Sequence, residues 1–294
     1  MAIVDTKRPI TAALCEKYLG EIAAVCPDCR LETLTETAFG RKAQALTIGT
    51  GARKVLFAGA FHANEWITAL VLLKFAEQLA AEDDLKAKAT AHFVPMVDPD
   101  GVDLVVGAAT DEEVALAEKL AENYPGIPFP DGWKANLLGV DLNLQYPAGW
   151  LQAREIKFMQ GYTRPGPRDF VGVAPLWEKE ARALADYTVR VDPDLVVAYH
   201  TQGQEIYWQF KDIYVPGARE LGEEFARVSG YRLAEVAYNS SFAGYKDWFI
   251  QRFRRPGYTI EAGAGENPLP LTDFDEIYED NVNILSLAII GIDN

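Results

Sequence analysis

The chain is poor in histidine and cysteine, with three of each among 294 residues. Any metal or redox chemistry must therefore be built from few side chains. The cysteines are Cys15, Cys26 and Cys29. Cys26-Pro27-Asp28-Cys29 has the spacing of a redox or zinc motif, but structural zinc needs a second ligand pair, which Cys15 alone does not provide. A redox pair belongs at a helix start after a strand, whereas this one follows a helix-like stretch. The expectation is two incidental thiols near a helix end. No apolar run approaches the ~18 residues of a membrane span. The first ten residues lack the apolar core of a signal peptide, so the protein is expected to be soluble and cytoplasmic, or secreted if a leader has been removed. No long basic run offsets a net charge of −15, which disfavours nucleic acid and anionic membrane as partners. Neither repeats nor low-complexity tracts interrupt the sequence.

What is present suffices for a large core. Hydrophobic residues make up 49% of the chain and aromatics 11%, and a chain of this length buries roughly 75% of its unfolded surface. Helical spacing of apolar residues marks 11–25, 66–82, 110–123, 175–191, 215–229, 248–252 and 274–290. Strand-like runs lie at 31–37, 43–49, 54–60, 91–97, 195–201, 206–210 and 258–262. Between them, 124–172 is rich in Gly, Pro and aromatics with little periodicity, the pattern of a functional loop system. Strands and helices alternate without a composition break, which predicts a single α/β domain over 1–294, with a mixed sheet covered on both faces.

Two of the three histidines stand at the ends of apolar strand candidates. Lys54–Ala60 runs into Phe61-His62-Ala63-Asn64-Glu65, and Asp194–Tyr199 runs into His200. A third run, Tyr258-Thr259-Ile260-Glu261, ends on a carboxylate. Strand ends are where open α/β sheets build their sites. Two imidazoles and a carboxylate are the protein ligands of one common catalytic zinc site, and a further glutamate can serve as base towards water. His62 and Glu65 are spaced i, i+3, so the helical HExxH arrangement is absent and the second imidazole must come from His200. The remaining histidine, His92, lies mid-strand and is expected to be structural.

The HxxE motif, a distant His after a strand and a late Thr-Ile-Glu resemble the zinc metallocarboxypeptidase superfamily, from about residue 31 to the end. Asp98-Pro99-Asp100-Gly101 is similar to its NPDG turn, with Asp98 for Asn, and Gly139-Val140-Asp141-Leu142-Asn143 to its GVDLN segment. The resemblance implies a three-layer α/β fold with a central mixed, twisted sheet. It also implies one Zn2+ per chain on His62, Glu65 and His200, Glu261 as general base, and Asp141 orienting a ligand histidine. Lys134, in Trp133-Lys134, stands where relatives carry an arginine for the developing oxyanion. Asn143 matches a substrate-carboxylate contact. Tyr238 or its rival Tyr245 matches a substrate tyrosine, and Lys246 the floor of the side-chain pocket.

The departures narrow the reading. Leu144 replaces the arginine that holds a terminal carboxylate, and leucine offers neither charge nor the guanidinium fork. Arg168 is the candidate substitute. Leu144-Gln145-Tyr146-Pro147-Ala148-Gly149-Trp150, Pro165–Phe170 and Glu266-Asn267-Pro268-Leu269-Pro270 resemble the branch of γ-D-glutamyl-L-diamino acid (meso-diaminopimelate) peptidases. The implied substrate is a murein-derived peptide. The alternatives are a conventional carboxypeptidase or amide deacylase of the same superfamily, and a non-catalytic binding module that keeps only the fold.

Overall fold

A computed structural model describes residues 2–291. In chain order the elements are α1 (Ala12–Val25), β1 (Arg30–Glu36), β2 (Lys42–Ile48), β3 (Arg53–Ala58), α2 (Ile67–Ala80), α3 (Asp83–Lys88), β4 (Ala89–Val94), α4 (Pro99–Val105) and α5 (Asp111–Ala121). They continue with α6 (Trp150–Met159), α7 (Lys179–Val191), β5 (Leu195–His200), β6 (Glu205–Tyr207), α8 (Ala218–Ser229), β7 (Arg232–Ala234), α9 (Tyr245–Phe253), β8 (Gly257–Glu261) and α10 (Phe274–Ile290).

The strands form one eight-stranded mixed sheet in the order β1-β2-β4-β3-β5-β8-β6-β7. Its centre, β4-β3-β5-β8, is parallel, while β1, β2 and β6 join antiparallel to their inner neighbours. Side chains alternate across a strand, and the central runs use both faces. Val55, Phe57, Val197 and Ile260 pack with α1, α2, α8 and α10 on one side. Leu56, Ala58, Val196 and Ala198 pack with α6, α7 and α9 on the other. Burial on two faces explains why these strands read as unbroken apolar runs. Each fully buried Leu, Val or Phe contributes about 1.5–3 kcal/mol, so the three-layer core dominates the stability.

Several local signals hold at the element ends. Thr110 caps α5 and Glu113 reaches back to its backbone, a complete capping box. Gly230, in left-handed conformation, closes α8. His92 is structural, as expected: its Nδ1 lies 2.7 Å from the Tyr187 hydroxyl and 3.2 Å from that of Thr47.

Four short elements, α3, α4, α6 and β7, were not expected. The helix anticipated from Pro175 begins at Lys179. The cysteine expectation also needs correction: Cys26 and Cys29 are joined as a disulfide, with Cα atoms 5.3 Å apart. Cys26 leaves α1 in extended conformation and its carbonyl accepts from Cys29 N–H. This turn brings the sulfurs within bonding reach. Cys15 is the free, buried cysteine.

Candidate metal centre and substrate cavity

Three adjacent parallel strands deliver the polar residues. His62 follows β3, His200 ends β5 and Glu261 ends β8, where it pairs in register with His200. Glu65 lies in the 3-10 turn after His62 and is fully buried. Its Oε1 is 2.9 Å from His62 Nδ1, and its Oε2 is 2.9 Å from His200 Nδ1. The three side chains each offer a ligand atom within 4.8 Å of the others. The far nitrogen of His62, Nε2, lies 3.2 Å from Asp141 Oδ1. That is the carboxylate–histidine arrangement which fixes a ligand tautomer.

The electrostatics fit a cation. Burial lowers the proton affinity of His62, but Glu65 and Asp141 outweigh it and raise the pKa to about 9. His200, buried with only Glu65 as counter-charge, goes the other way. Its Nε2 is buried without a hydrogen-bond partner among the described residues. Burial also raises Glu65's affinity for a proton, yet His62, Lys134 and His200 hold its pKa well below the usual value. Two imidazole nitrogens thus converge on one ionised carboxylate, a donor set that suits Zn2+. Glu261 differs. Burial and then Glu65 push it up to about 8, against Lys134 and His62, so it is a carboxyl poised to exchange a proton near neutrality.

The long segment between α5 and α7 frames this centre through backbone hydrogen bonds. Ala63 and Asn64 N–H donate to the carbonyls of Lys134 and Trp133. Lys134 and Ala135 N–H donate to the Pro167 carbonyl. Lys134 Nζ reaches Glu65 Oε1 at 2.8 Å. Gly139 turns the segment with φ +76°, and a Cβ there would lie 2.6 Å from Gly166 N. Only glycine combines that conformation with so close an approach.

A cavity of about 290 Å³ opens beside the centre. It is lined by His62, His200, Glu261, Lys134, Asn143, Arg168 and Lys246, all singled out from sequence, with Glu65 buried beneath. Asn143 Oδ1 accepts from Tyr245 N–H at 3.1 Å, which leaves its Nδ2 as the free donor among the described residues. Lys246 is buried and bound to the Gln209 carbonyl at 2.7 Å and Asp247 Oδ1 at 2.6 Å. Tyr238 lies elsewhere. It is 69% exposed, packs edge-on against Phe242 and lines a neighbouring cavity with Phe210 and Lys211. Tyr245 lines the main cavity, but its hydroxyl is tied to Thr188 at 2.8 Å. Sequence reasoning missed Lys157, which enters from α6, and Asp169, which binds both Lys157 and Arg168.

The profile of the zinc carboxypeptidase family matches residues 15–284. This chain belongs to the zinc carboxypeptidase family. His62, Glu65 and His200 form the cluster that could hold the metal ion of that zinc-dependent family. Among curated relatives, γ-D-glutamyl-L-diamino acid endopeptidase 1 of Lysinibacillus sphaericus is 43% identical over 251 residues, covering 81% of this chain. The chain spans 62% of that relative's length. Among solved structures, carboxypeptidase A from Helicoverpa armigera superposes with a TM-score of 0.75 at 18% identity, covering 97% of this chain and 75% of its own. The murein-tripeptide amidase of Escherichia coli O157 gives 0.57 at 20% identity, covering 90% of this chain and 92% of its own. At those identities the two structures establish the shared zinc carboxypeptidase fold.

Proposed function

We propose that the chain is a zinc peptidase that hydrolyses the γ-D-glutamyl-L-diamino acid amide bond of murein peptides. The observation that carries this reading is Leu144 on the cavity wall beside Asn143, with the cations coming from elsewhere. The likeness to the Lysinibacillus endopeptidase supports the same substrate class. In this reading the cell-wall fragments are turnover peptides met in the cytoplasm, and residues 1–294 act as one catalytic unit.

Zinc on His62, Glu65 and His200 supplies Lewis-acid activation of water and carbonyl. The protein's own groups do the rest. Glu261 accepts a proton from the attacking water at its carboxylate and delivers it to the leaving nitrogen as the C–N bond breaks. The Lys134 ammonium, buried at the cavity wall, faces the carbonyl oxygen as negative charge develops there. Asn143 Nδ2–H donates to a carboxylate of the leaving diamino acid. Lys246 sits at the cavity floor as a cation for a charged side-chain end. Tyr238 reaches substrate by a rotation of the 235–241 loop, whose Val236, Ala237 and Ser240 already line the cavity.

The test compares two peptides that share a C-terminal diaminopimelate. One is joined through the γ-carboxyl of D-glutamate, the other through an ordinary α-peptide bond. The zinc-loaded protein is expected to cleave the first at least ten times faster. Glu261→Gln is expected to bind zinc fully and lose at least 100-fold in kcat, in line with loss of a general base. Preference for the α-linked peptide returns the chain to a conventional carboxypeptidase. Cleavage of neither, by a protein that binds no zinc, makes it a binding module.

A further inference from the structure

Two cavities meet at the metal centre. The smaller one, of about 290 Å³, is lined by Asn143, Leu144 and Lys157. The other, about 890 Å³, runs past Asn64, Tyr162 and Asn267. They share Lys134, Arg168, Tyr207 and Glu261, so a scissile bond at Glu261 has one side in each. The smaller cavity, with Asn143 and Lys157 on its wall, suits a terminal leaving group. The larger suits the acyl part, which is continued by more peptide.

One carboxylate organises the cations at this junction. Asp169 Oδ1 accepts from Lys157 Nζ at 2.5 Å and its Oδ2 from Arg168 Nε at 2.6 Å. Lys157 lines the small cavity; Arg168 lines both. The grip on Nε leaves both terminal nitrogens of Arg168 without a hydrogen bond among the described residues. These form the half of the guanidinium fork that suits a carboxylate. Lys157 likewise keeps two of its three donor hydrogens, since one goes to Asp169. Asp141 also faces both cations, so what a ligand meets here is the set of spare donors on Lys157 and Arg168. Asp169 holds φ +65°, and its own N–H donates to Asp141 Oδ2 at 3.3 Å. The same residue therefore ties the cation pair to the carboxylate that orients His62.

We infer that Lys157 and Arg168 are separate specificity determinants, positioned by Asp169. Lys157, with Asn143, binds the α-carboxylate of the leaving diamino acid. Arg168 binds the free α-carboxylate of the D-glutamyl residue on the acyl side. This rests on the substrate class proposed above, because a γ-linked D-glutamyl peptide carries a free carboxylate on each side of the scissile bond and an ordinary peptide carries only one.

The experiment uses the γ-D-glutamyl-diaminopimelate peptide and two analogues, one amidated at the glutamyl α-carboxyl and one amidated at the leaving residue's α-carboxyl. Wild type is expected to prefer the diacid over each analogue by 10-fold or more in kcat/KM. Lys157→Met is expected to erase the preference at the leaving residue and keep the one at glutamate, with Lys157→Arg restoring much of it. Arg168→Met is expected to do the reverse. Asp169→Asn is expected to weaken both preferences, mainly through KM. Because each readout is a ratio within one protein sample, partial misfolding does not imitate the pattern. Equal loss of both preferences in Lys157→Met and Arg168→Met, or retention of both, overturns the assignment. If wild type cleaves the α-linked peptide and not the γ-linked one, the underlying substrate reading fails instead.

Discussion

Asp98 shows what a single buried oxygen does. Its Oδ1 caps α4 by accepting from Gly101 N–H at 2.9 Å. Its Oδ2 is buried without a partner among the described residues. Burial, followed by the nearby carboxylates of Glu180, Asp100 and Asp141, raises its pKa well above the ordinary value, against the Gly101 bond. A carboxyl whose folded pKa lies above its unfolded one costs nothing in acid, where both states hold the proton. The penalty grows as pH rises past the unfolded value near 3.9. Asp98→Asn keeps the capping oxygen and removes the charge. It is expected to raise stability by about 1–3 kcal/mol at neutral pH and to leave it little changed near pH 3.5. Urea melts at both pH values check this, and equal or lower stability at pH 7 contradicts it. At the residue scale much of the site was legible. His62, Glu65, His200 and Glu261 announce themselves because strand ends concentrate chemistry. Lys157 did not, because nothing in a lysine's local sequence tells which of many charged side chains turns inward. Tyr238 carries the right chemistry but points outward, a choice made by the contact of its ring with Phe242.

The elements that were missed lie where tertiary hydrogen bonds override local pattern. The α6 helix has apolar residues Trp150, Ala153 and Ile156 at three-residue spacing, a thin stripe within a segment rich in Gly and Pro. It begins at Gly149 with φ +71° and no side-chain cap, so no starting signal marks it. The central strands, by contrast, were plain because burial on both faces leaves few polar residues to blur the run. The framing segment makes its own prediction. Gly139→Ala places a side chain in left-handed conformation, worth ~1–2 kcal/mol against it, and presses on Pro165 and Gly166. Displacing that loop moves Pro167, which holds Lys134, and Arg168 beside it. The variant is expected to lose more than that in stability by denaturant titration, and at least 10-fold in kcat/KM even where fully folded. A folded variant with unchanged kcat/KM contradicts the framing role of this turn.

On the scale of the whole molecule, the sheet is a device for convergence. Parallel β3, β5 and β8 all end on one edge, so three segments remote in sequence present His62, His200 and Glu261 within one cavity wall. The right fold class followed from alternating strands and helices. The order of the strands did not, since crossover connections leave no trace in local pattern. No helix among the described residues is long and apolar enough to cross a membrane. The most direct test of the account is a zinc titration of metal-free protein, read by calorimetry and by hydrolysis of the γ-D-glutamyl-diaminopimelate peptide in the same samples. Binding is expected to saturate at one zinc per chain, with activity rising in proportion and reaching its plateau at the same point. Binding without hydrolysis, or hydrolysis independent of zinc, would contradict it.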